Sequence, residues 1–521
     1  MAEQMHDVAI IGSGLAGLTL ALQLHRANPR LSVAVLERSA LPPPIASHKV
    51  GESTVEIGAH YLSDTLGLGE LLEQTQLRKF GLRLFFGAGL HDDLASADEL
   101  GASHLLPAIS YQIDRGKLEG DLVAILADKG VLVLDQCTVS SATISPSGDA
   151  HSLDIKRAGE PGKIRSRWVV DASSRTAMLK RKLGIGRQCT HEVGSAWFRL
   201  DTAISVDDWS ASEAWRQTCS KPRRLSTNHL MGTGYWVWII PLAGDKTSIG
   251  LVADPNEHPL PKYNTFEKFC KWLTENQPKL AAEVVDSDDT LMDFCFMNKL
   301  SRDSEQVWSR QRWALTGESG LFSDPFYSPG SDFIGISNTF IADMILREAA
   351  GDQFSTQAAV YQQMYKSFYE STMSLYENQY QGFGDTRLMV VKTTWDYAYY
   401  WSVLTWLYFR GVMTDIDSLR EIQPRLVAMR ELNAAMQKRF RIRAAERRQD
   451  TGRGRFFDQT AIPVLYNLNA ALLEPTNNLR KEFDGNCNTL ESLSPLLMDL
   501  LANESASASC SLLGDLRQRF N

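Results

Sequence analysis

The first residues whose spacing could do chemistry are three glycines. Gly12-Ser13-Gly14-Leu15-Ala16-Gly17 follows the short apolar run Val8-Ala9-Ile10-Ile11 and opens a stretch, 18–24, of helical periodicity. Gly12 permits a tight turn, Gly14 lets the backbone approach a pyrophosphate, and Gly17 lets the helix pack closely on the strand. Leu15 and Ala16 complete the turn at the helix N-terminus, where N–H groups and the helix dipole favour negative charge. A second apolar run, Val33-Ala34-Val35-Leu36, ends at Glu37 and Arg38, about twenty residues past Gly17. An acid there accepts hydrogen bonds from ribose hydroxyls and repels a 2′-phosphate. The pattern predicts a strand–turn–helix–strand unit that binds a dinucleotide.

Three later segments choose between nicotinamide and flavin. Tyr111-Gln112-Ile113-Asp114-Arg115 precedes a helix and the apolar strand Val131–Leu134, and Trp168-Val169-Val170-Asp171 runs into the small-residue turn Ala172-Ser173-Ser174. Trp313-Ala314-Leu315-Thr316 ends in Gly317 and Glu318. A strand ending in glycine and an acid, far downstream of the first turn, resembles the FAD-contacting segment of the glutathione-reductase and hydroxybenzoate-hydroxylase type. In that type the acid accepts a hydrogen bond from the ribityl chain. Glu318 stands where those proteins usually have Asp, and Ser174 where they usually have Gly. No second glycine fingerprint with strand and helix around it is evident, so FAD is expected without a dedicated NAD(P)H domain.

Two motifs narrow the class. Trp236-Val237-Trp238-Ile239-Ile240-Pro241 alternates as a strand, with the indoles on one face and Val237 and Ile239 on the other. Pro241 is expected to end that strand by removing a donor. The run matches WxWxIP and resembles the flavin-dependent halogenases, in which it lies near the flavin ring. Lys79 follows His48-Lys49-Val50-Gly51-Glu52-Ser53-Thr54 as that family's lysine follows its Gly-Glu-Ser segment. The resemblance implies that Glu52 and Ser53 lie at the flavin. It also implies that halide attacks a flavin hydroperoxide and that Lys79 handles the resulting hypohalous acid. Asp324-Pro325-Phe326-Tyr327-Ser328-Pro329-Gly330 resembles the family's loop over the flavin, whose last two residues offer N–H groups to the halide. Pro329 has no N–H, which leaves Gly330 and Ser331 as donors. Tyr327 stands where tryptophan halogenases carry Glu and the phenol and pyrrole halogenases an aromatic residue. The pocket implied is Trp236, Trp238, Pro241 and Tyr327–Ser331. The substrate implied is a small electron-rich aromatic, free or on a carrier protein, with FADH2 supplied by a separate flavin reductase. A monooxygenase that hydroxylates or epoxidises without halide, and a reductase of the geranylgeranyl-reductase kind, are the other readings.

These residues need several elements to position them. The chain has 521 residues, 44% hydrophobic and 22% charged, enough for two to four structural units. The fold expected is α/β: a Rossmann-like FAD-binding domain over 1–190 and 301–345, a β-sheet substrate domain over 191–300, and a helical region over 346–521. Within the last, the aromatic run 395–409 is too short and interrupted for a membrane span. It packs on the flavin domain, lines a tunnel or lies against lipid, and membrane contact stays open. Residues 439–448 read as a solvated helix face, and 502–511, rich in Ser and Ala, as a loosely held end. The net charge of −8 offers nothing to nucleic acid. Seven scattered cysteines indicate neither a disulfide framework nor a metal site. With no secretory signal visible, a cytoplasmic monomer or homodimer is expected.

Overall fold

Val8–Ile11 is buried at every residue because it forms part of an interior strand of a parallel sheet. The computed structural model describes residues 4–45, 49–146, 150–285 and 288–502. They divide into two compact units. The first comprises the chain to Gln74, Ile113–Thr190 and Ser301–Glu370; the second comprises Thr75–Gln112, His191–Leu300 and the chain from Ser371.

In the first unit the sheet runs Trp308–Ser309, Trp313–Leu315, Glu160–Asp171, Gln4–Ile11, Val33–Leu36, Leu132–Leu134. From Trp313–Leu315 onward every neighbour is parallel, with Ile11 opposite both Leu36 and Asp171 and Asp171 opposite Leu315. The strands therefore end together at one edge, where open parallel sheets bind ligands. Helix Leu15–Ala27 is buried along most of its length. Ala9, Ile11, Ala34, Leu36, Val169 and Leu315 pack in one core cluster. This is the Rossmann-like arrangement the glycine turn predicts.

The second unit holds a mixed sheet in the order Leu291–Met297, Gly194–Leu200, Lys246–Ala253, Tyr235–Leu242, Thr227–Gly232, Leu82–Phe86, Asp98–Gly101, Phe456–Asp458. Thr227–Gly232 and Tyr235–Leu242 form a hairpin about Thr233-Gly234, and Gly234 takes the left-handed conformation (φ +80°) that such a turn requires. Tyr235, Val237 and Ile239 join Phe198, Leu230, Ile249, Leu251 and Trp272 in one apolar core. Trp236 and Trp238 lie on the other face, as the alternation predicts. Pro241 departs from expectation. The strand runs on to Leu242, with Pro241 opposite Thr247. Pairing with Thr227–Gly232 on the other side reaches only Ile239, so the missing N–H breaks no ladder there.

The C-terminal part of this unit is helical, with Thr386–Tyr399, Ile416–Ala444 and Leu479–Ala502 the longest described helices. A π-helical turn, Tyr400–Thr405, interrupts the aromatic run. Among the described residues no helix is long and apolar enough to cross a membrane. Arg443, expected on a solvated face, instead pairs with buried Asp385 at 2.9 Å. Residues 503–511 lie outside the described residues.

Candidate active site

The glycine turn separates what packing demands from what a ligand demands. Gly12 takes φ +108°, and a Cβ there would lie 2.6 Å from the Ala172 carbonyl oxygen. A Cβ on Gly17 would collide with the Gly12 carbonyl. Both positions are closed to any other residue by the protein itself. At Gly14 a Cβ would meet no protein atom within 4 Å. Packing gives no reason for glycine there, and close approach of a phosphate does. These residues fit the pyrophosphate of FAD.

Around the turn, charges are fixed by hydrogen bonds. Glu37 accepts from the Ser13 amide and hydroxyl, each at 3.0 Å, and from the Ser39 amide at 2.8 Å. Burial opposes its charge, but these donors outweigh it and hold the carboxyl below the usual carboxylate range. Glu37 is thus an anion beside the strand edge, and Arg38 is exposed next to it. The Leu15 amide donates to buried Glu119 at 3.1 Å, which satisfies one of the N–H groups that the helix N-terminus leaves without an intrahelical acceptor. Glu119 also ion-pairs with Lys49 and with Arg115 (2.6 Å), and Arg115 donates to the Val50 carbonyl at 2.7 Å. The backbone carbonyl of Glu52 accepts from the Ile113 amide at 2.6 Å, which ties the Glu52–Ser53 segment to the start of the Arg115 helix.

Asp171 is fully buried, and its carboxylate accepts from the Ser173 amide and hydroxyl and from the Leu179 amide. It shapes the turn from inside. Ser174 takes φ +52°, a left-handed conformation that favours glycine, and its hydroxyl donates to Glu318 at 2.5 Å. Gly317 (φ +60°) comes close to Ala16, so the strand ending in Gly317-Glu318 abuts the glycine turn.

The loop from Asp324 is strained. The Phe326 amide caps on Asp324 (2.9 Å), the Ser328 amide bonds the Pro325 carbonyl (2.8 Å), and Tyr327 and Ser328 adopt φ +68° and +60° in succession. Each such residue costs about 1–2 kcal/mol. Pro329 then caps helix Gly330–Ala349, whose first helical bond runs from Phe333 to Pro329. A helix leaves its first N–H groups without intrahelical acceptors, here those of Gly330 and Ser331. Ser331 is buried against Gly58. Replacing Ser328 by Gly should raise stability by about 1 kcal/mol in a thermal melt. An unchanged or lowered melting temperature would mean that the loop stores no strain at this residue.

The second unit gathers its own group. Lys79, at 3% exposure, is buried rather than on a basic surface turn. Its amide bonds the Ser110 carbonyl and the next amide, Phe80, bonds Leu225, which anchors the turn into Leu82–Phe86. On the sheet, Trp236 and Trp238 stand 5.7 Å apart between ring centroids. Trp238 donates to Ser248 (3.2 Å) and lies over Gly250, where no side chain would fit. Trp236 donates to the Tyr380 hydroxyl at 2.9 Å. His229, opposite Trp238 on the hairpin, places its ring 5.3 Å from Trp236. Burial pushes His229 down to about 3; the Arg83 and Thr227 carbonyls work against that, and the nearby charge of Lys79 works with it.

Sequence reasoning missed Glu119 and His229. Glu119 lies one helical turn after Arg115, a spacing that pairs side chains on one face. His229 was findable from the Thr233-Gly234 turn, which sets the register opposite Trp238.

Known proteins resemble the chain over spans of different length. A family model described as an NAD(P)-binding Rossmann-like domain matches residues 10–74. A flavin-dependent halogenase of Dictyostelium discoideum is 27% identical over 433 residues, 77% of this chain and 70% of that protein. The 1H-pyrrole-2-carbonyl-[peptidyl-carrier protein] chlorinase of Pseudomonas fluorescens is 25% identical over 377 residues, 68% of this chain and 79% of that one. The halogenase PltM, solved with phloroglucinol and FAD, superposes with a TM-score of 0.66 at 17% identity, covering 95% of this chain and 96% of its own.

Proposed function

We propose that this chain, a flavin-dependent oxidoreductase related to the flavin-dependent halogenases, halogenates an electron-rich aromatic ring of phenol, resorcinol or pyrrole type, free or held on a carrier protein. The observation that carries this reading is Lys79: a lysine withdrawn from solvent, in the unit whose sheet presents two indoles and a neutral histidine on one face.

Gly12, Gly14, Ala16, Gly17, Glu37 and Arg115 would hold the FAD, with Glu318 at the ribityl chain. When reduced, FAD supplies two electrons to O2, so that FADH2, O2, halide and a proton give FAD, hypohalous acid and water. The chain's own residues then govern the halogen. Lys79 either donates a hydrogen bond to hypohalous acid or, as the free amine, carries the halogen transiently. The ring attacks the halogen, loses a proton and becomes the aryl halide, and hydroxide leaves as water. Trp236 and Trp238 keep this space apolar, so that water competes less for the halogen. Tyr327, in place of a carboxylate, suits a ring whose own hydroxyl or nitrogen carries the developing charge. The reduced flavin comes from a separate reductase in the cytoplasm.

Pro329 favours a second reading, oxygen transfer without halide, because it removes one N–H from the halide-binding end of the loop. A charge-assisted hydrogen bond contributes about 1.5–3 kcal/mol, roughly ten- to a hundredfold in affinity. Wild type should therefore use bromide better than chloride, which is harder to desolvate. Pro329→Ser should lower the apparent halide constant, most for chloride, in steady-state assays. Hydroxylated product alone from both proteins, at saturating bromide, would decide for the monooxygenase.

A further inference from the structure

His229 is a buried titratable group that the proposed chemistry does not yet use. It sits in Thr227–Gly232, opposite Trp238 and beside Leu84 of the neighbouring strand. Residues directly opposite on an antiparallel pair point to the same side, so His229 shares the face of the two indoles. Its exposure is 1%. Its Nδ1 lies 3.2 Å from the Arg83 carbonyl oxygen. A carbonyl only accepts, so Nδ1 carries the hydrogen, and in a neutral ring Nε2 must then be an acceptor.

The strand that fixes the histidine also fixes the lysine. Phe80 bonds Leu225 and Thr227 bonds the Gly81 carbonyl, so the turn carrying Lys79 is stitched to the start of the strand carrying His229. Lys79 is close enough for its charge to disfavour the imidazolium. The face thus holds an acceptor of fixed tautomer, walled by indoles, and the turn stitched to its strand carries a buried cation.

We infer that His229 is a positioning residue for Lys79: its Nε2 accepts a hydrogen bond from the lysine nitrogen, directly or through one water, and so aims Lys79 at the halogen. This rests on Lys79 acting as proposed above. Burial keeps the imidazole neutral across the working range, so it orients the lysine without repelling it. A misaimed lysine would let hypohalous acid escape and would lower turnover rather than substrate binding.

Three substitutions separate this role from packing. His229→Asn keeps a donor where Nδ1 meets the Arg83 carbonyl but offers no acceptor at Nε2. His229→Gln places its amide oxygen where Nε2 lies, and His229→Phe keeps only the ring. With FAD bound and the melting temperature retained, halogenated product per FADH2 oxidised should fall roughly ten- to a hundredfold in Asn and Phe. Gln should keep most of it. The loss should appear in kcat, with KM for the arene unchanged and free hypohalous acid trapped in solution. Wild-type coupling in Asn, or a loss in Gln as deep as in Phe, would overturn the inference and leave His229 a packing residue. Lys79→Ala, assayed alongside, should abolish product, and adding His229→Asn to it should change nothing further. Product from Lys79→Ala itself would instead bring down the reading of Lys79 on which the inference stands.

Discussion

Lys79→Ala should reduce halogenated product by about a thousandfold or more while FAD binding and oxidation of FADH2 by O2 proceed as in wild type. The asymmetry follows from the order of events. The two electrons reach oxygen without any lysine, so the substitution removes a group needed only afterwards, and peroxide or hypohalous acid leaves the protein unused. Burial makes the test sharp, because a side chain at 3% exposure leaves a space that solvent ions do not readily enter. Lys79→Arg refines it. A guanidinium still donates hydrogen bonds but does not become a free amine near neutral pH. Partial activity in Arg therefore supports hydrogen bonding to hypohalous acid, and complete loss supports transient halogenation of the amine. Stopped-flow absorbance for the flavin and chromatography for the product read both halves. Full product from Lys79→Ala would end the proposed role.

Gly14→Val should weaken FAD binding by about a hundredfold or more, some 3 kcal/mol, while the protein without flavin melts near the wild-type temperature. A Cβ at Gly14 meets no protein atom within 4 Å, so the fold has room for it and an approaching pyrophosphate does not. Gly17→Ala should behave in the opposite way, disturbing the fold itself, because the Gly12 carbonyl already occupies the space of its side chain. Titration with FAD, paired with circular-dichroism melts, distinguishes the two. Unchanged FAD affinity in Gly14→Val would remove the pyrophosphate from this turn.

Much of this was legible in the residues because the signals are local. A strand, three spaced glycines and a following acid specify one backbone path, and Gly12 and Gly17 take the roles assigned from spacing. The alternation of Trp236 to Ile240 assigns faces without any knowledge of the partner strands. What escaped depended on distant chain. Pro241 reads as a strand end, but whether a missing N–H matters is decided by how far Thr227–Gly232 extends alongside. Asp171 reads as a ligand from its motif, whereas its oxygens are directed inward by Ser173 and Leu179. Arg443 looks solvated within its own helix and is drawn inward by Asp385, fifty-eight positions away. The segment Thr75–Gln112, which carries Lys79, gives no local sign that it pairs into the second unit's sheet rather than following the nucleotide-binding chain before it. Strand order is a property of long-range pairing, and composition does not encode it locally.

The most direct test is mass spectrometry of the products of turnover. The protein is supplied with reduced FAD from a reductase, O2, saturating bromide and a panel of phenols, resorcinols and pyrroles, free and carrier-bound. Halogenation predicts a product carrying bromine's near-equal isotope doublet from at least one electron-rich ring, absent without bromide and absent with Lys79→Ala. Products heavier by oxygen alone, formed equally with and without halide, would contradict it.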